Sequence, residues 1–222
     1  MVPDRSLYMV SFLSLWHKKL KFGKRPPKNT KMCNNKRWEL GLSQVRPWLW
    51  IGPARAATSE RISSIGVKLV VWATPEAEPP NLTIENTVLR IIVKDDPSAN
   101  LRIFFSMVLD AVRACRAAEG SVVFICRAGI SRSASLAIIS VMSEEYTDLR
   151  SAYNIVKAGR PIIRPNTGFF RQMIEYESEI LGAASVKMTK SPYDEKEEVP
   201  DIYLEESSLK VSQTFSTFIP LS

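Results

Sequence analysis

Three near-continuous apolar runs of strand length, Val67–Trp72, Val88–Val93 and Ser121–Ile125, constrain this chain more than any other feature. A strand that reads as apolar on both faces has to be covered on both faces, as happens in sheets flanked by helices. Helical patterns lie between and after these runs. Leu101–Ala118 carries Phe104, Phe105, Val108, Leu109, Val112 and Cys115 at helical spacing and stops at Gly120. Ser133–Ser143 reads as a buried helix rich in Ala, Leu and Ile. Asp148–Ala158 reads as an amphipathic helix capped by Thr147 or Asp148, and Thr167–Leu181 as another beyond Pro161 and Pro165. Upstream, Val45–Ile51 reads as a strand ending at Gly52, and Ala54–Ile65 as a short helix ending at Gly66. Alternating strands and helices predict an α/β domain with a central, mostly parallel sheet flanked by helices.

The formal net charge of +7 is spread unevenly. Residues 1–38 carry ten basic and one acidic residue, residues 39–183 sixteen against fifteen, and residues 184–222 four against seven. The chain therefore divides into a basic N-terminal arm (1–38), one folded domain (39–183) and an acidic, Ser/Thr-containing C-terminal tail (184–222), with both ends expected to be flexible. The arm would attract nucleic acid only nonspecifically, and peripheral contact with an anionic membrane surface is open to it. Its apolar stretch Leu7–Trp16 is ten residues long, half of the ~20 that a spanning helix needs. The basic run Lys18, Lys19, Lys21, Lys24 and Arg25 follows that stretch, which is the wrong order for a secretory signal. Three scattered cysteines, Cys33, Cys115 and Cys126, make no disulfide framework, and no Cys/His spacing suggests zinc. The expectation is an intracellular protein, cytoplasmic or nuclear, with no cofactor.

The third apolar run leads straight into Cys126-Arg127-Ala128-Gly129-Ile130-Ser131-Arg132 and then a helix. Each part of that arrangement has a task in displacing phosphate. The strand delivers Cys126 to the carboxyl edge of the sheet, where open α/β sheets bind ligands. The residues Arg127, Ala128, Gly129, Ile130 and Ser131 can curl so that backbone N–H groups cradle an anion, with Gly129 permitting the curl. The next helix aims its N-terminus at the same point, and Arg132 offers a planar fork matching two phosphate oxygens. Free thiols ionise near pH ~8.5, so a cysteine nucleophile needs its thiolate favoured by just such donors.

The leaving group then needs a proton. Asp95, in Val93-Lys94-Asp95-Asp96-Pro97, follows a predicted strand and is the candidate acid, with Asp96 as the fallback; Asp-Asp-Pro is also an ordinary turn sequence. Ser133 is placed to hydrogen-bond the leaving sulfur, or else to serve as a plain serine at a helix start.

These residues resemble the atypical dual-specificity protein phosphatases, of the cysteine-based protein tyrosine phosphatase superfamily. Cys126 to Ser135 is similar to their signature loop, and Gly159-Arg160-Pro161-Ile162-Ile163-Arg164-Pro165-Asn166-Thr167-Gly168-Phe169-Phe170 is similar to a segment of a small subgroup. The likeness spans roughly Leu42 to Met188. It implies a dual-specificity phosphatase fold, Cys126 as nucleophile, Arg132 as phosphate clamp, Asp95 as general acid, no metal, and a shallow pocket accepting phosphotyrosine and phosphoserine/phosphothreonine on protein substrates.

The family usually has histidine immediately before the cysteine, where this chain has Ile125; its single histidine, His17, lies in the basic arm. Losing one charge-assisted hydrogen bond costs about 1.5 to 3 kcal/mol. The expectation is a phosphatase of reduced activity; the alternative is a catalytically weak or inactive pseudophosphatase that binds phosphorylated protein.

Overall fold

The computed structural model describes residues 41–82 and 86–207. The basic arm and the end of the acidic tail, 208–222, lie outside the described residues. The main sheet holds β1 (Ser43–Arg46), β2 (Leu49–Pro53), β3 (Leu69–Trp72), β4 (Thr87–Arg90) and β5 (Val122–Cys126). Its spatial order is β1-β2-β5-β3-β4, antiparallel between β1 and β2 and parallel elsewhere. The expected α/β architecture with a mostly parallel sheet is the one found.

Alternation along β5 divides the interior into two cores, because successive side chains leave a strand on opposite faces. Val122, Phe124 and Cys126 face the larger core, built with α2 (Phe105–Ala117), α3 (Arg132–Glu144), α4 (Leu149–Gly159) and α5 (Thr167–Leu181). Val123 and Ile125 face the smaller one, with Val70, Trp72 and Ile62 of α1 (Ser59–Ser64). Helix α3 is buried from Arg132 through Ser143 and sits centrally against α2, α4 and α5. Asp148 and Asn166 cap α4 and α5, their side chains accepting from the Ser151 and Phe169 N–H groups.

Several boundaries differ from the sequence reading. The strand expected over Val45–Ile51 is a hairpin, β1 turning at Pro47 and Trp48 to pair Ser43 with Ile51. Proline has no N–H to give a ladder, so the strand breaks there. The helix expected over Ala54–Ile65 is a 3₁₀ turn, Ala54–Ala56, followed by α1, because the Thr58 side chain accepts from Arg61 N and starts a new helix. Val88–Val93 is not a doubly covered strand. It contributes β4, at the sheet edge among the described residues, where it pairs with β3, and Ile92 beyond it is 75% exposed.

The segment expected as a tail from residue 184 is folded as far as residue 207. Strands β6 (Met188–Lys190) and β7 (Glu198–Pro200) pair as a hairpin, and residues 201–207 are helical. Its acidic character concealed four apolar anchors: Val186, Val199, Ile202 and Tyr203 are buried in the larger core. Four of its carboxylates pair with basic residues of the domain: Glu198 with Arg171, Asp201 and Glu205 with Arg150, and Glu206 with Lys157.

Candidate active site

Strand β5 ends at Cys126, and the loop to α3 turns on Gly129, whose φ is +68°. A Cβ at that position would lie 2.6 Å from the Gly52 carbonyl carbon, so glycine is required both for the dihedral and for the close approach of β2. The carbonyls of residues 128–131 are each taken by a donor beyond the loop. Arg160 Nε donates to Gly129 O at 2.7 Å and its Nη2 to Ala128 O at 3.3 Å, Arg164 N donates to Ile130 O at 2.9 Å, and Ser135 N donates to Ser131 O at 2.8 Å. With its acceptors turned away, the loop presents its amide side to the sulfur, and Gly129 N donates to Cys126 Sγ at 3.2 Å. Ser133 Oγ lies 3.1 Å from the same sulfur, so the sequence-predicted pair Cys126 and Ser133 is in contact.

Arg132 is 2% exposed, and its Nη1 donates to both Glu76 oxygens at 2.9 Å and to Val93 O at 3.3 Å. Its Nε is buried and makes no hydrogen bond; the nearest anion, Asp95 Oδ2, is 3.6 Å away. Thus one edge of the guanidinium is anchored while an N–H of another has no acceptor. Glu76 also accepts from Thr74 Oγ1 at 2.8 Å. Burial pushes the Glu76 carboxyl up, but hydrogen bonds from Arg132 and Thr74 outweigh it and hold the group at about 2, so it is ionised at neutral pH.

The two adjacent aspartates do different things. Asp95 Oδ1 accepts from Ser131 Oγ at 2.7 Å and from Asn166 Nδ2 at 3.0 Å, beside the loop. Asp96 turns to Ser98, accepting from its N–H and hydroxyl, bonds that lower its carboxyl from the usual range. The aspartate loop is fixed against α5 by a contact at Gly168, where a Cβ would fall 1.8 Å from Pro97 O. An open pocket of about 660 Å³ is lined by Pro75, Glu76, Lys94, Asp95, Asp96, Arg127, Ala128 and Arg132.

Arg160, Glu76 and Asn166 were not among the sequence candidates. Arg160 is wholly buried, and loss of water outweighs the attraction of Cys126 to bring its guanidinium down to about 10, still charged at neutral pH. Nothing local distinguishes a buried arginine from a solvated one. Glu76 did carry a signal, since it follows β3 at the same carboxyl edge of the sheet as Cys126.

A parallel sheet that ends one strand in Cys-x5-Arg at the head of a buried helix is the architecture of the cysteine-based phosphatases. The dual specificity phosphatase catalytic-domain family matches residues 49–179. The chain is 38% identical over 169 residues to dual specificity protein phosphatase 14 of Mus musculus, covering 75% of this chain and 83% of that one. It is 34% identical over 173 residues to dual specificity protein phosphatase 18 of Homo sapiens, covering 77% and 89%. The crystal structure of human DUSP28 superposes with a TM-score of 0.60 at 32% identity, over 63% of this chain and 94% of that one. The chain belongs to the atypical dual-specificity protein phosphatases, hydrolases of the cysteine-based protein tyrosine phosphatase superfamily.

Proposed function

We propose that this phosphatase hydrolyses phosphotyrosine and phosphoserine/phosphothreonine in proteins through a cysteinyl-phosphate formed on Cys126. The observation that carries this reading is the buried Nε of Arg132, which makes no hydrogen bond and has the Asp95 carboxylate only at ion-pair distance, 3.6 Å, whereas a buried N–H as a rule has an acceptor. A phosphoryl oxygen would take it, while the amides of residues 127–132 take the remaining oxygens.

The Cys126 thiolate attacks phosphorus, the S–P bond forms as the P–O bond breaks, and Asp95 in its protonated form gives its proton to the departing oxygen. Water then attacks the cysteinyl-phosphate and loses a proton to the Asp95 carboxylate. The S–P bond breaks with Ser133 donating its hydroxyl to the sulfur, and inorganic phosphate leaves. No step needs a metal or cofactor. The proposed compartment is a reducing one, cytoplasm or nucleus, since the described cysteines, Cys115 and Cys126, are both free thiols. Among the described residues no helix is long and apolar enough to cross a membrane.

Ile125 supports reduced turnover. It is fully buried in the smaller core among apolar neighbours and gives the loop no hydrogen bond from its side chain. The same residue favours a second reading, a pseudophosphatase that holds phosphorylated protein without turning it over.

The deciding experiment is hydrolysis of phosphotyrosyl and phosphothreonyl peptides and an aryl phosphate by the full chain, with tungstate binding followed in parallel. Turnover that disappears in Cys126→Ser, falls at least ~10²-fold in Asp95→Asn and rises in Ile125→His supports the enzyme. No turnover with tungstate binding retained assigns the chain to the second reading.

A further inference from the structure

The C-terminal segment from residue 184 to 207 grips the active site from behind, through the three residues Arg164, Pro165 and Asn166. On their front, Arg164 N donates to Ile130 O of the phosphate loop at 2.9 Å. Asn166 N donates to Ser131 Oγ at 3.1 Å and Asn166 Nδ2 to Asp95 Oδ1 at 3.0 Å. On their back, buried Tyr203 donates its hydroxyl to Pro165 O at 2.6 Å, and the Arg164 guanidinium stacks over the Tyr203 ring at 4.0 Å. One carbonyl and one residue therefore separate the Tyr203 hydroxyl from the side chain that holds Asp95.

The segment is built to keep that grip. Tyr203 packs edge-on against Phe170 at 5.3 Å, and Glu206 accepts from Tyr153 Oη at 2.6 Å and pairs with Lys157 at 3.1 Å. Buried Glu177 takes Ser185 N at 2.8 Å at the start of the segment. A surface appendage would not need a buried hydroxyl on a backbone carbonyl. Within the Arg164-Pro165-Asn166 segment the proline has no N–H of its own to anchor it, so the Pro165 carbonyl is the point where the turn can be held.

We infer that Tyr203 is a positioning residue for the general acid: by fixing the Pro165 carbonyl it sets the orientation of Asn166, which in turn aims the Asp95 carboxyl at the leaving oxygen. The segment 184–207 is thereby part of the catalytic unit. This rests on Asp95 as the proton donor.

A general acid matters in proportion to how poorly the leaving group departs unaided, which separates this role from a merely structural one. The full chain and its Tyr203→Phe variant, which keeps the ring and loses the hydroxyl, are compared on phenyl phosphate and on 2,4-dinitrophenyl phosphate, whose phenolate departs without a proton. The expected result is a fall in kcat/KM, which reports the steps up to S–P bond formation, of about tenfold on phenyl phosphate, part of the ~10²- to 10⁴-fold a general acid contributes, with kcat/KM on the dinitrophenyl ester held. Equal loss on both substrates, or loss on neither, overturns the inference.

The side-chain amide signals of Asn166 in a nitrogen-15 NMR spectrum supply a readout independent of turnover. They move in Tyr203→Phe if the hydroxyl positions Asn166, and their staying in place overturns the inference. A parent chain that hydrolyses neither ester removes the phosphatase reading, while the Asn166 signals still decide whether Tyr203 governs this turn.

Discussion

Arg160 Nε donates to the Gly129 carbonyl at 2.7 Å, across 31 residues of sequence, from a side chain with no exposed surface. The same guanidinium reaches Gly41 O at 3.1 Å and Ser43 Oγ at 3.0 Å, so it ties the start of the domain, the phosphate loop and the end of α4 together. An arginine can do this because its five donors lie in one rigid plane, each aimed at a different acceptor.

Replacing Arg160 with methionine should therefore cost more than one hydrogen bond. The Gly129 carbonyl would be left buried without a donor, at about 1 to 3 kcal/mol, and the half-buried Ala128 carbonyl would lose its donor too. The expected outcome is destabilisation of about 3 kcal/mol or more in urea unfolding, with loss of tungstate binding. Arg160→Lys should not rescue it, since one ammonium cannot reach the acceptors on both the phosphate loop and the start of the domain.

Gly129→Ala tests the loop from the inside. The added methyl would meet the Gly52 backbone at 2.6 Å, in a dihedral region that costs non-glycine residues about 1 to 3 kcal/mol. Because the strain falls on the loop itself, tungstate affinity should drop by at least tenfold while the α-helical circular dichroism signal is retained.

The Glu76 carboxyl, held at about 2 against an ordinary 4.5, is deprotonated more readily in the folded than in the unfolded chain. Its contribution is therefore fully present above pH 4.5 and disappears as pH falls through about 2. With the Glu76 side chain 45% exposed, solvent screening reduces that contribution to about 1 kcal/mol. Glu76→Gln should be less stable than the parent by that amount at pH 7, and the difference should shrink toward zero in urea titrations carried from pH 5 down to 2. An undiminished gap at pH 2 would place the effect in packing instead of charge.

Ile125→His should destabilise the fold even where it assists the chemistry. The side chain enters an apolar core of Ala57, Ile62, Val67, Val70, Trp72 and Val123, where the Trp72 indole N–H already donates to Ala77 O. Burying an imidazole there costs about 2 kcal/mol. For a chain of this size that corresponds to a Tm lower by about 4 to 8 °C in a thermal melt. An unchanged Tm would mean that the ring has found a partner.

The amino-acid sequence by itself determined the strand that carries Cys126, the glycine in its loop, the arginine closing it and the buried helix behind, since these lie within two dozen residues and each obeys a local rule. The helix start at Thr147 or Asp148 was legible because a cap is a contact between near neighbours, and the one at Thr167 because prolines punctuate the chain before it. Tertiary structure alone decided the rest. Which of Asp95 and Asp96 turns toward the loop depends on Asn166 and Ser131, 71 and 36 residues away from Asp95. That Glu76 anchors Arg132, that Arg160 is buried, and that an acidic stretch after residue 183 folds back to place Tyr203 on Pro165 all follow from packing across the sheet and helices. A side chain's partner is set by what the whole chain brings within about 3 Å of it, and for distant residues no local periodicity encodes that distance.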